Sequence, residues 1–153
     1  MKTIVVGLGN PILSDDGVGI RIARELKERI GNSGGSVDVV ELYAGGIRLM
    51  DALMGYERAL IIDALVTESS SPGEIFDLSP SDLVSTRNTV STHDMNLPTA
   101  LEMGKMLELP LPSDIKIWGI GAKDVETFSE ELTEDVARAV PVVLGEIIQY
   151  LGG

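Results

Sequence analysis

The 153-residue sequence contains no cysteine. A disulfide framework, a zinc–thiolate centre and a thiol nucleophile are therefore all excluded. Histidine is almost as scarce, with His93 as the single example. Aromatic residues make up only 4% of the chain, so a core must be built from valine, isoleucine, leucine and methionine. A core of that kind suits a parallel sheet covered by helices. No apolar run approaches the roughly 18 residues that a membrane-spanning helix needs, so no membrane partner is expected. The first apolar run ends at Gly7, too short and too early for a secretory signal, and the expected location is the cytoplasm. Positive charge is also in deficit: 12 Lys and Arg face 24 Asp and Glu, for a formal charge of −12. Such a surface repels a phosphate backbone, which argues against nucleic acid as a partner. Several catalytic signatures are missing too. There is no phosphate-binding G-x-x-x-x-G-K-[ST] loop, no H-E-x-x-H and no G-x-S-x-G nucleophile elbow. Gly7-Leu8-Gly9-Asn10-Pro11-Ile12 begins like a dinucleotide fingerprint, but Ile12 stands where the third glycine is required.

What is present reads as one domain over residues 1–153, with 44% hydrophobic and 24% charged residues. The run from Ile4 to Leu8 predicts a buried strand. After the loop Gly9–Asp16, a helix is predicted from about Gly17, with Val18, Ile22, Leu26 and Ile30 on one face and Gly31 as its stop. A second strand is expected over Val37–Leu42. A helix carrying Leu49, Met50 and Leu53 follows the Gly45-Gly46 pair, and a third strand, Ala59–Ile62, ends at Asp63. This β-α-β-α-β order implies a parallel sheet with right-handed crossovers. Glu74–Leu78 follows a turn too short for a helical crossover, so it is expected antiparallel to its neighbour. Ser79–Asp82 starts another helical turn, and Ser85–Ser91 reads as polar loop. A helix is expected over about Leu97–Glu108. A strand over Ile115–Ile120 and a helix over Glu134–Leu151 complete the chain. Pro98 is harmless in a first helical turn if Asn96 is the cap. Pro141 predicts a kink.

In open parallel sheets, ligands collect beyond the carboxyl ends of the strands, where chain order reverses. With the first strand between the second and third, that point lies between strands one and three. The loop after strand one brings Asp15 and Asp16 there, and the end of strand three brings Asp63. One of the adjacent pair is expected to cap the helix. The other is a candidate ligand, since a cation would relieve the repulsion between them. His93, in the polar stretch Ser91–Asn96, also sits at a helix start. One imidazole and two carboxylates at strand-to-helix junctions make a plausible three-ligand site with an open position. That mixed donor set suits zinc or nickel.

These residues resemble a known family. Gly7-Leu8-Gly9-Asn10 followed by Ser14-Asp15-Asp16-Gly17-Val18-Gly19 resembles the opening signature of the nickel–iron hydrogenase maturation endopeptidases. Leu60-Ile61-Ile62-Asp63-Ala64 is similar to their third strand, and Ser91–Leu97 to their S-x-H-x-x-x-L segment. Gly45-Gly46 falls where they place a glycine turn. The likeness runs from residue 1 to about 150 in the same order. It implies an α/β three-layer sandwich of the phosphorylase/hydrolase-like kind, a mostly parallel five-stranded sheet with helices on both faces. It implies that Asp16, Asp63 and His93 are both the catalytic and the metal-contacting residues. It further implies an endopeptidase, acting as a monomer, whose partner is the precursor of the [NiFe] hydrogenase large subunit. That enzyme removes a C-terminal extension only after nickel has been inserted. The nickel is then supplied by the substrate, and no organic cofactor is implied. Two positions depart from the pattern, Pro11 and Ile47, where an apolar and a small residue are more usual.

Two readings from other classes compete. A non-catalytic metallochaperone or docking module would bind nickel without cutting, and only turnover separates the two. Gly7–Pro11 also resembles the start of peptidyl-tRNA hydrolase, but Ile12–Gly19 carries no histidine and the acidic charge disfavours tRNA.

Overall fold

A computed structural model describes residues 2–31, 35–43, 47–66, 70–85, 90–91 and 97–152. The first strand, β1 (Thr3–Leu8), is buried along its whole length. A short 3-10 turn (Ser14–Gly17) leads into α1 (Val18–Ile30), and then come β2 (Val37–Leu42) and α2 (Ile47–Leu53). The chain continues through β3 (Arg58–Val66), β4 (Ile75–Leu78), α3 (Pro80–Ser85), β5 (Val90–Ser91), α4 (Leu97–Met106), β6 (Asp114–Gly121) and α5 (Glu134–Gly152). The main sheet runs β2-β1-β3-β6-β4, with β5 pairing β3 beside this path. All pairings between β2, β1, β3 and β6 are parallel, and β4 lies antiparallel to β6, as its short connection predicts.

The direction of chain travel explains the layers. The step from β1 to β2 goes one way across the sheet and the step from β2 to β3 goes back over β1. Right-handed crossovers in opposite directions must lie on opposite faces. Accordingly α1 packs with α5 against Val5, Leu60, Ile62 and Trp118. On the other face Leu49 and Leu53 of α2 and Leu101 of α4 pack against Ile4, Val6, Ala59 and Ile61. The alternation along β3 divides the two cores, with even-numbered positions facing α1 and odd-numbered ones facing α2. Chain order reverses between β1 and β3, at the crevice where the sequence places its candidate ligands.

Two expectations require correction. The third strand does not end at Asp63: β3 continues to Val66, because β6 pairs with it through Leu65 and β5 through Val66. Asp63 thus lies inside a strand. The segment read as loop contains the two residues of β5, which take up the stretch of β3 that β1 leaves open. The helix α5 carries Pro141 in its interior, as the sequence placed it. Both Pro141 and Ala137, whose carbonyl loses its usual N–H partner, lie on the solvent side, where water can serve that carbonyl. Pro98 falls in the first turn of α4, where it costs nothing. No helix among the described residues is long and apolar enough to cross a membrane.

Candidate metal-recognition site

The carboxyl end of β1 and the start of α1 meet at very short range. A Cβ placed on Gly19, in the first turn of α1, would lie 2.3 Å from the Ile62 carbonyl oxygen and 2.6 Å from that of Leu8. Only glycine allows the helix to descend onto the ends of β1 and β3 in this way. Gly9, with φ of +155°, permits a second close approach just after β1: its missing Cβ would lie 2.2 Å from the Asp16 carbonyl oxygen. The 3-10 turn is thereby pressed against β3. Asp16 sits in that turn, three residues before Gly19, and is 3% exposed. Asp63 follows Ile62 directly and is 0% exposed. Two carboxylates from separate segments of the chain are therefore buried at one end of the sheet, beside the switch point. One Asp63 oxygen accepts the Ala64 N–H at 2.8 Å.

Asp15 does something the sequence did not suggest. Neither aspartate caps α1, whose N-cap is Gly17 with no side-chain bond. The carboxylate of Asp15 turns instead to the loop between β6 and α5. One oxygen accepts the Thr133 N–H at 2.7 Å. The other accepts the Thr133 hydroxyl at 2.7 Å and the Lys123 and Asp124 N–H groups at 2.9 Å each. Four donors on one buried carboxylate make it a clamp, which leaves Asp16 as the candidate ligand of the pair. The clamp is reinforced by backbone bonds from Asp15 N–H to the Asp124 carbonyl and from Ser14 N–H to that of Ser129, both 2.8 Å. Ser14 holds a left-handed backbone, φ of 50°, which is strained for a non-glycine residue. Its hydroxyl donates to the Glu131 carbonyl at 2.9 Å. Asp124 organises the same loop by accepting the Glu126 and Thr127 N–H groups. The Thr127 side chain first, and then these two N–H bonds, hold its carboxyl below the usual value.

The loop over residues 122–133 is thus bonded to the turn that carries Asp16, a contact that the sequence alone did not indicate. Two signals of the loop itself were present: Asp124 ahead of Thr127 as a side-chain-closed turn, and Thr133 ahead of Glu134-Asp135 as a helix start.

His93 lies outside the described residues, as does the Gly45-Gly46 turn. Among the described residues, no three of His, Cys, Asp and Glu are grouped so as to hold a metal ion. The structure thus buries Asp16 and Asp63 at the same end of the sheet and ties Asp15 to the loop between β6 and α5.

A sequence model of the hydrogenase maturation protease family matches residues 20–150. The chain belongs to the hydrogenase maturation protease family. The matched range contains Asp63 and His93 and begins shortly after Asp16. The chain is similar to the hydrogenase 2 maturation protease of Escherichia coli K12, 29% identical over 105 residues, which is 66% of this chain and 62% of that relative's length. Among solved structures, the hydrogenase maturating endopeptidase HybD from E. coli superposes with a TM-score of 0.82 over 99% of this chain and 92% of that one. At 22% identity that likeness speaks for the fold alone. The [NiFe] hydrogenase maturation protease HybD from Thermococcus kodakarensis gives a TM-score of 0.73 at 26% identity over the whole of both chains. The three-layer fold is thus shared with these maturation proteases.

Proposed function

We propose that this chain is an endopeptidase that removes a C-terminal peptide from the nickel-loaded precursor of a [NiFe] hydrogenase large subunit, and that it recognises the nickel through Asp16, Asp63 and His93. The observation that carries this reading is the burial of Asp16 and Asp63, from separate segments, at the point where strand order reverses. Membership of the maturation protease family supports the reaction class. Connectivity supports the third ligand. Ser91 pairs with Leu65, two residues beyond Asp63. His93 follows Ser91 by two residues, which can span at most about 7 Å.

Two carboxylates and an imidazole form a nitrogen and oxygen set that suits nickel. Buried carboxylates are stabilised by an arriving cation, and a surface of net charge −12 attracts one. The nickel belongs to the substrate. Gripping it fixes the scissile peptide bond in the crevice, so that a held geometry replaces a chance encounter. The reaction is hydrolysis. Water adds to the peptide carbonyl and the C–N bond breaks. A carboxylate remains on the shortened subunit, and the amine leaves with the released peptide and the transferred proton. Polarisation of that carbonyl or of the water by the substrate's own metal lowers the barrier further.

The test is incubation of the protein with nickel-free and nickel-loaded precursor, reading the C-terminal mass of each. Wild type is expected to shorten only the loaded form, and folded His93→Ala and Asp16→Asn variants to shorten neither. Full processing by His93→Ala, or equal cleavage of the nickel-free form, overturns the reading. A stable complex with no shortened product makes the chain a docking protein instead.

A further inference from the structure

Phe128 is one of only two phenylalanines in the chain, and it is 82% exposed. Ile12, on the loop that leads to Asp16, is 49% exposed. The two segments are joined as a parallel bridge, Leu13 to Ser129. Ser129 N–H donates to the Ile12 carbonyl at 2.9 Å, and Ser14 N–H donates to the Ser129 carbonyl at 2.8 Å. One residue back on each side, Ile12 and Phe128 stand level with each other. The loop that presents Phe128 is rigid. Asp15 clamps it at Lys123, Asp124 and Thr133, and Asp124 closes the turn through Glu126 and Thr127. An aromatic ring held in water by a loop so heavily bonded is a preorganised anchor.

We infer that Phe128 and Ile12 form the docking anchor for the folded body of the precursor, inserting into an apolar pocket bordered by basic side chains. This rests on the proposed function for the identity of the partner. Charge complementarity sets its chemistry: the loop that carries Phe128 brings four carboxylates, Asp124, Glu126, Glu130 and Glu131, against Lys123 in the loop and Arg21, whose guanidinium donates to the Glu130 carbonyl. Position sets its size. Ile12 lies four residues from Asp16 on one hydrogen-bonded platform, so a protein bringing an ion to Asp16 meets this anchor at the rim. A second copy of this chain is a poor occupant. It would set the same four carboxylates against themselves, and two side chains fall far short of the roughly 1,200 Å² that a stable interface buries.

The experiment compares wild type with Phe128→Ala, Phe128→Leu and Glu126→Lys, by steady-state processing of nickel-loaded precursor and by direct binding of the same precursor. Phe128→Ala is expected to raise KM and weaken binding by about thirtyfold, the scale of an aromatic hot spot, with kcat and thermal stability unchanged. Phe128→Leu is expected to recover most of the affinity. Glu126→Lys is expected to raise KM, and added salt to weaken wild-type binding. An unchanged KM for Phe128→Ala, or a fall in kcat at constant KM, overturns the docking role. If wild type does not cleave at all, the protease reading fails, and the binding arm alone decides: equal affinity of wild type and Phe128→Ala rejects the anchor.

Discussion

Replacing Asp15 by asparagine tests the clamp at its centre. The substitution preserves size and removes one acceptor and one charge. In the better orientation its amide carbonyl keeps the three donors that converge on one oxygen, the Thr133 hydroxyl and the Lys123 and Asp124 N–H groups. Its NH2 group then faces the Thr133 N–H, which loses its acceptor. A buried donor left unmet costs about 1–3 kcal/mol. The three surviving bonds lose their charge assistance, which roughly halves each and removes about 1 kcal/mol apiece. The neutral amide avoids the cost of burying a charge and offsets some of this, leaving a net loss of about 3 kcal/mol. For a chain of this length that corresponds to a melting temperature about 6–12 °C lower. Urea unfolding followed by circular dichroism measures it, with an unchanged m-value as the check that only stability has moved. A loss below about 0.5 kcal/mol, the scatter of ordinary surface substitutions, would refute the clamp and reopen the assignment of Asp16 over Asp15.

Two further substitutions probe the close approach at the site and a surface hydrogen bond. Gly19→Ala forces a methyl group into the Ile62 and Leu8 carbonyls and is expected to cost about 1–3 kcal/mol by overpacking. It is also expected to slow precursor processing, since it lifts the turn that carries Asp16; a variant as stable and active as wild type would show that the close approach is dispensable. Tyr56 donates to Asp38 at 2.6 Å, and this bond, with burial and the nearby charge, raises its pKa above the ordinary value of 10.0. A raised pKa means that the neutral phenol is favoured in the folded state. The resulting stability is fully present below the unfolded value and disappears as pH rises through the folded one. Phenolate absorbance in an ultraviolet titration is expected to appear later than in a free tyrosine, and Asp38→Asn to bring it forward. Coincident titrations of the two proteins would contradict the assignment.

Much of the fold is legible in the sequence because it is a matter of periodicity. The β-branched run of β1, the four-residue spacing of Val18, Ile22, Leu26 and Ile30, and the stop at Gly31 each depend on neighbours a few residues away. The parallel β-α-β-α-β core follows from the same units, and the strand order then places the switch point between β1 and β3. Duties set by distant partners are not legible in this way. Asp15 and Asp16 are adjacent, identical and both buried, yet one is separated from the other by donors 108 to 118 residues along the chain. Local propensity favoured a helix cap for one of them, and tertiary bonds took it elsewhere. Asp63 read as the end of a strand because an acid is a poor interior strand residue. Pairing with β6 and β5 carried β3 past it to Val66. The exposed Phe128 is likewise invisible to a pattern that expects aromatics inside, because the loop that holds it outward is built by contacts across the whole fold.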